Sequence, residues 1–202
     1  MQIPETTRSA SGRARPLSVD DRQAMIIDAV IPLLAEFGRD LTSRQIADAA
    51  GVAEGTIFRA FGDKETLIEA AIAKFLDPEP MRRELREIDP ASPLDDKVER
   101  IIAIMRARFG EIFRVMAMVG ARRPPAPKAR HEFAEIIAEA LAPELERLNW
   151  RPMQIAHMIR LVTFASSFPL LNEGVDLSSQ ELTRLVLYGI AGTSSITEGS
   201  QD

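Results

Sequence analysis

At 202 residues, 46% of them hydrophobic, the chain has material for a substantial core; it has no cysteine, which excludes disulfides, zinc–thiolate sites and thiol nucleophiles. Its formal charge of −5 argues against nonspecific coating of nucleic acid, so any DNA binding must come from a small, placed set of cations. No apolar run approaches the roughly 18 residues of a membrane span, and the first seventeen residues hold no apolar leader core, so the expectation is a soluble, cytoplasmic chain without membrane association.

Residues 1–17 read as a disordered basic arm, with Arg8, Arg13 and Arg15 against only Glu5. Ser18 opens the first helix, with Asp20 and Asp21 in its first turn. Met25, Ile26, Ala29, Val30, Leu33, Leu34 and Phe37 are spaced for one buried face, and Gly38 closes the helix. Pro32 lies inside it and predicts a bend rather than a break. Residues 42–64, TSRQIADAAGVAEGTIFRAFGDK, then read as a short helix, a sharp turn at Gly51 and a second short helix, the layout of a helix-turn-helix DNA reader. Thr42 and Gln45 form a capping box, flanked by Leu41 and Ile46 as a hydrophobic staple. Ala47 is small where a second helix must cross closely, Gly51 suits a positive φ, and Val52 and Ile57 are the next apolar anchors. No single one of these residues is specific; their joint spacing is.

Asp63 caps a following helix that carries Leu67, Ile68, Ala71, Ile72 and Phe75, stopped by Asp77, Pro78 and Pro80. Ser92, Pro93 and Asp95 predict the start of a long helix through Val98, Ile101, Ile102, Met105, Phe109, Ile112, Phe113 and Met116, split near Gly110. Residues 121–130, ARRPPAPKAR, are proline-rich and basic and read as a loop. A helix over about 128–148 carries Phe133, Ile136, Ile137, Ala140, Leu141 and Leu145, with Pro143 as a possible kink. Pro152 starts a helix apolar almost all round, which predicts burial. Ser178 and Glu181 form a second capping box before a last helix through Leu185, Val186, Leu187 and Ile190. No strand alternation is visible, so the fold class is all-α.

A single helix, then LTSRQIADAAGVAEGTIFRAFGDKETLI, then a longer helical half resembles the tetracycline-repressor (TetR) family of bacterial transcription regulators over about residues 18–76. The resemblance implies a basic arm over 1–17, a helix-turn-helix DNA-binding domain over 18–64 and a helical ligand-binding and dimerisation domain over 65–202. It implies a repressor that grips a palindromic double-stranded operator as a homodimer and is released by a small effector. Members often have serine, tyrosine and histidine where this chain has Ala53, Phe58 and Ala60. Ala53 cannot cap the reader helix, and Phe58 has no hydroxyl to offer a phosphate. Carried over by position, the DNA-binding residues are Thr42, Ser43, Arg44, Glu54, Gly55, Thr56, Phe58, Arg59 and Lys64. The chemistry agrees in part: Gly55 lets backbone approach DNA, Thr56 suits a phosphate or a thymine methyl, arginine is a common reader of guanine, and Lys64 stands at a helix N-terminus that suits phosphate.

In the larger half, Met105, Phe109, Phe113, Met116, Phe133, Ile137, His157 and Phe164 are candidate lining for a mostly apolar ligand, against the blander alternative of core packing. His157, Arg160 and Thr163 share one side of a helix and suit pocket anchors, a dimer seam or an exposed edge. Ile159, Val162, Leu182, Leu185, Val186 and Gly189, with Ala191 and Gly192 beyond, are the expected seam between two copies. No catalytic motif, metal-ligand spacing or cofactor fingerprint is present, so no cofactor and no enzymatic activity are expected. The rival to a ligand sensor is a DNA-binding protein whose larger half holds a protein partner and no small molecule, with loop 121–130 as a contact. An apolar cavity in that half separates the two.

Overall fold

Ser18, Thr42, Asp63 and Ser178 each accept a hydrogen bond from the backbone N–H three residues on, and each opens a helix. The computed structural model describes residues 18–120, 129–172 and 174–189, and every regular element among them is helical. In chain order these are α1 (Val19–Phe37), a 3-10 turn (Gly38–Asp40), α2 (Ser43–Ala50), α3 (Glu54–Phe61), α4 (Lys64–Phe75), α5 (Glu79–Arg86) and α6 (Leu94–Val119). Then come α7 (Ala129–Ala140), a second 3-10 stretch (Ala142–Arg147), α8 (Pro152–Ser167), α9 (Pro169–Asn172) and α10 (Ser179–Tyr188). The basic arm and its arginines, most of loop 121–130, and Ile190, Ala191 and Gly192 lie outside the described residues.

Several boundaries differ from expectation. Helix α5 was read as chain after a stop, yet Pro78, Glu79 and Pro80 occupy its start, where a proline costs no intrahelical hydrogen bond. Met81, Leu85 and Ile88 are its buried line. Helix α6 runs unbroken through Gly110, where a split was expected, while α1 continues through Pro32 without a break, as expected. Pro93, rather than Ser92, is the residue that precedes α6, with no side-chain cap. The helix expected over 128–148 ends at Ala140 and gives way to 3-10 geometry around Pro143. Pro169 ends α8, because it has no N–H to continue the ladder.

Two apolar clusters organise the molecule. The first gathers Ile26, Val30 and Leu34 of α1, Ile46 of α2, Ile57 of α3, and Leu67, Ile68, Ala71 and Ile72 of α4. Val115 and Val119 from the last turns of α6 complete it. The second gathers α5, the first half of α6, α7, α8 and Leu182 of α10. Into its edge Lys97 is buried, its ammonium held 2.5 Å from Glu144 and 2.7 Å from the carbonyl oxygen of Pro90. That contact ties the 3-10 stretch to α6 and satisfies a charge that would otherwise be costly to bury.

The entry of α6 into the first cluster depends on Gly38. Its backbone sits at φ 56°, ψ −131°, a region open to glycine. A β-carbon there would stand 2.2 Å from the carbonyl oxygen of Met118. Gly38→Ala is therefore expected to destabilise the fold by more than about 1 kcal/mol, through both strain and displacement of α6. Urea unfolding followed by circular dichroism checks this, and an unchanged midpoint would contradict the close approach.

Candidate nucleic-acid interface

The reader unit is built from α2, the turn at Gly51 and α3. The Thr42 hydroxyl accepts from the Gln45 N–H at 3.2 Å, while the Gln45 side-chain carbonyl accepts from the Thr42 N–H at 2.9 Å, so two of the free donors at the start of α2 are used. Gly51 adopts left-handed geometry at φ 63°, and the Val52 N–H returns to the carbonyl of Ala47 at 3.0 Å. The chain thereby reverses within a few residues and lays Ile57 of α3 onto Ile46 and Ala47. Ala53 precedes α3 without a side-chain cap. A contact that the sequence did not point to closes the far end: the Gln23 amide of α1 donates to the Ala60 carbonyl at 2.6 Å. Gln23 is thus a positioning residue for the reader helix.

The outer surface of this unit carries the carried-over residues together. Thr42, Arg44, Glu54, Gly55, Phe58 and Arg59 are exposed, and Ser43 and Thr56 are half-buried. Phe58 is 47% exposed, a large apolar ring presented to water on the reader helix. Among the described residues, apart from its chain neighbours and its own helix backbone, nothing lies within 4 Å of where a Gly55 β-carbon would be, so packing against them does not require glycine there. Arg59 folds back along its own helix, donating from Nε to the Gly55 carbonyl at 3.1 Å.

Lys64 departs from its expected place as a phosphate clamp. Its ammonium turns inward and donates to the Arg39 carbonyl at 3.3 Å. The N-terminus of α4 is already held by an anion, because the Asp63 carboxylate accepts from the Thr66 N–H at 2.7 Å. That bond keeps the Asp63 carboxyl below its usual range. Its stabilising contribution is complete above the ordinary carboxylate pKa and is lost as pH falls through the lowered value.

Behind the reader, Arg39 joins three elements. Its Nε donates to the Val119 carbonyl at the end of α6 at 3.0 Å, and its other nitrogens pair with Glu65 at 3.0 Å and Glu69 at 2.5 Å on α4. At the opposite end of α4, Arg108 of α6 donates to the carbonyls of Phe75 and Asp77 and lies 4.8 Å from the centroid of the Phe75 ring. Helix α4 packs with α1, and the end of α6 comes to it.

Residues 26–71, the span that forms this reader and its support, match the model of bacterial regulatory proteins of the tetR family. The chain's reader unit is thus of that family's type. Over 57 residues it is 39% identical to the HTH-type transcriptional repressor KstR2 of Rhodococcus jostii, and over 50 residues 44% identical to the HTH-type transcriptional regulator YvkB of Bacillus subtilis. The matched segments span 28% and 26% of those relatives, and 28% and 24% of this chain. The fold is shared more widely. A TetR-like regulator from Rhodococcus sp. RHA1 superimposes with TM-score 0.52 at 18% identity over 88% of this chain and all of that one. The fatty acid regulator FadR of B. subtilis, solved in complex with stearoyl-CoA, gives 0.51 at 19% over 83% and 98%.

The expected pocket residues fall into four environments. Phe133, Ile137 and His157 line one groove of about 670 Å³ between α7 and α8, joined by Arg160, one of the three residues read as suiting pocket anchors, and by Trp150 and Met153, which the sequence did not single out. Phe109, Phe113 and Phe164 instead pack on one another and on Phe168, with ring centroids 4.7 to 6.4 Å apart. Met105 is buried in the core of the larger half, and Met116 packs against the reader's cluster. Thr163 is no pocket anchor: it is buried, and its hydroxyl donates to the Ile159 carbonyl at 2.6 Å.

The expected seam also needs correction. Ile159 and Leu182 are fully enclosed by their own subunit, whereas Val162 and Val186 are half-buried and pack against the same core. Leu185 is half-buried and Gly189 exposed. Helix α8 was expected to be buried all round, yet it turns Met158 and Leu161 outward, and Leu170, Leu171 and Val175 beyond it are exposed as well. Periodicity marked these stretches as apolar without telling which side met which neighbour.

Thr42→Ala is expected to cost about 1 kcal/mol of stability by freeing one donor at the start of α2. Thermal or urea unfolding measures it. Wild-type stability in the variant would mean that the box does not hold the helix.

Proposed function

We propose that this regulator is a repressor that binds a palindromic double-stranded operator as a homodimer, one α3 in each major groove, and leaves it when a small effector occupies the larger half. The observation that carries the reading is the arrangement of α2 and α3. Their exposed face holds Arg44, Gly55, Thr56, Phe58 and Arg59, and their rear is the core that α6 enters. Arg44 suits a phosphate, Arg59 a guanine edge once it swings off its helix, and Phe58 a thymine methyl, while Gly55 leaves the backbone free to come close. Homodimer formation is supported by the outward apolar face of α8, and the effector by the groove between α7 and α8, which favours a sensor over a module for a protein partner. A route between groove and reader is supported by α6, whose first half packs in one cluster and whose last turns pack in the other. Release then requires only that the effector prefer a dimer whose reader helices are wrongly spaced for successive grooves.

The direct test is a gel shift on the DNA upstream of the chain's own gene, repeated with a set of small amphiphiles. Specific retardation that one of them reverses is the expected outcome. Retardation equal on unrelated DNA would contradict it.

Two substitutions separate the parts. Arg44→Ala should reduce the slope of log affinity against log salt by about one unit, as for one lost phosphate contact, whereas Lys64→Ala, whose ammonium is spent on Arg39, should change it less. Equal loss in both would return Lys64 to the DNA. Leu161 is 48% exposed, so Leu161→Arg should leave each subunit folded but yield monomers in ultracentrifugation and lose operator binding steeply. Dimers in that variant would place the seam elsewhere.

A further inference from the structure

Among the described residues, seven of the eleven large hydrophobic side chains left exposed lie between residues 150 and 175, so exposed apolar surface is concentrated on α8 and what flanks it. Helix α8 contains no acid, and its exposed residues are Met153, Gln154, His157, Met158 and Leu161, none of them a lysine, an arginine or a carboxylate. Spaced by three and four, they form one line along the helix. A helix face that meets water is ordinarily charged, so this line is suited to an apolar surface.

The groove between α7 and α8 opens onto the same line. Phe133 and Ile137 of α7 and Ala156 of α8 are its buried floor, whereas Trp150, Met153 and Met158, which also line it, are 55%, 40% and 38% exposed. The Arg160 guanidinium is already engaged, with a terminal nitrogen 3.3 Å from His157 Nδ1, so the apolar wall is what selects a ligand. Sites for small organic molecules bury about 70–90% of the ligand's surface, but a groove walled by α7 and α8 alone leaves the ligand's outer side in water.

We infer that the groove is half of a shared site: an uncharged, apolar molecule lies on Phe133, Ile137 and Met158 of one subunit and is closed over by α8 of a second copy of this chain. The inference rests on the homodimer and sensor readings above. A second copy fits because the line has no lysine, arginine or carboxylate and so meets its own image without like-charge repulsion, as a two-fold contact requires. Leu161 is one turn from Met158, and packed helices lie about 8–10 Å apart, so a partner helix seated on Leu161 also stands over Met158 and the mouth of the groove. Such a molecule prefers the dimer to the separated subunit and, by linkage, tightens the dimer by the same factor. Because it touches both subunits at once, it bears directly on the spacing of the two α3 helices.

Trp150 is the chain's single tryptophan, so energy transfer from indole to the uncharged fluorophore N-phenyl-1-naphthylamine reports on this groove. In the full-length protein the transfer should saturate at one probe per subunit. Ala134→Phe, which fills the groove from α7, should abolish the transfer and leave dimers. Leu161→Arg and Leu171→Arg replace side chains that are 48% and 59% exposed, so each subunit should stay folded by circular dichroism. Each should sediment as a monomer that binds the probe at least about tenfold more weakly than the wild type. A folded monomer that binds the probe as tightly as the wild type would overturn the shared site and leave the homodimer and sensor readings intact. Dimers in both variants would remove the seam itself and this inference with it. Saturable transfer retained in Ala134→Phe, or none in the wild type, would equally overturn the assignment.

Discussion

The last turns of α6 sit in a core that otherwise belongs to the reader. Val115 and Val119 complete the cluster formed by α1, α2, α3 and α4, and Gly38 admits the α6 backbone because it has no side chain to obstruct the Met118 carbonyl. Arg39 then fastens the end of α6 to Glu65 and Glu69 of α4. The two ion pairs are half-exposed, and contacts of that kind contribute little singly. Their value is positional, since one guanidinium fixes three elements at the point where the reader begins. Because the same α6 supplies Val98, Ile101, Ile102 and Met105 to the second cluster, a displacement of α6 in the larger half cannot leave the reader's core unaffected.

The acidity of the chain is compatible with binding a polyanion because the charge is arranged locally. Arg44 and Arg59 stand exposed on the reader, while Asp63 is engaged in capping α4 and Glu65 and Glu69 in holding Arg39. A protein built in this way has few phosphate contacts per subunit. Single half-sites would then be held weakly, and operator binding would depend steeply on the second copy.

What the sequence made readable was local. Ser18, Thr42, Asp63 and Ser178 announced helix starts because a cap is a contract between residues three apart, and Gly51 announced a turn because few residues tolerate its φ. Helix α5 escaped notice since Met81, Leu85 and Ile88 are separated by arginines and glutamates and preceded by two prolines. The destination of α6 escaped for another reason: Val115 and Val119 look like any apolar pair on a helix, and only packing across some 80 residues shows which core they join. The hydrogen bond of Lys64 was not legible because its partner, the Arg39 carbonyl, lies 25 residues away. Ile159 and Leu182 were assigned to a seam because apolar spacing marks a buried face and is silent on whether the chain buries it against itself or a second copy. The family match, confined to residues 26–71, likewise says least about the half that holds the groove between α7 and α8.

If the end of α6 belongs to the reader's core, its amides exchange through the same opening as those of α1 and α4. A ligand that binds the closed core raises the free energy of that opening by the same amount for every amide it governs. Hydrogen exchange with and without saturating operator DNA is therefore the most direct measurement. The account predicts that amides around Val115 and Val119 gain as much protection as those around Val30 and Ile68. Protection that rises across residues 42–64 and leaves the end of α6 unchanged would contradict it.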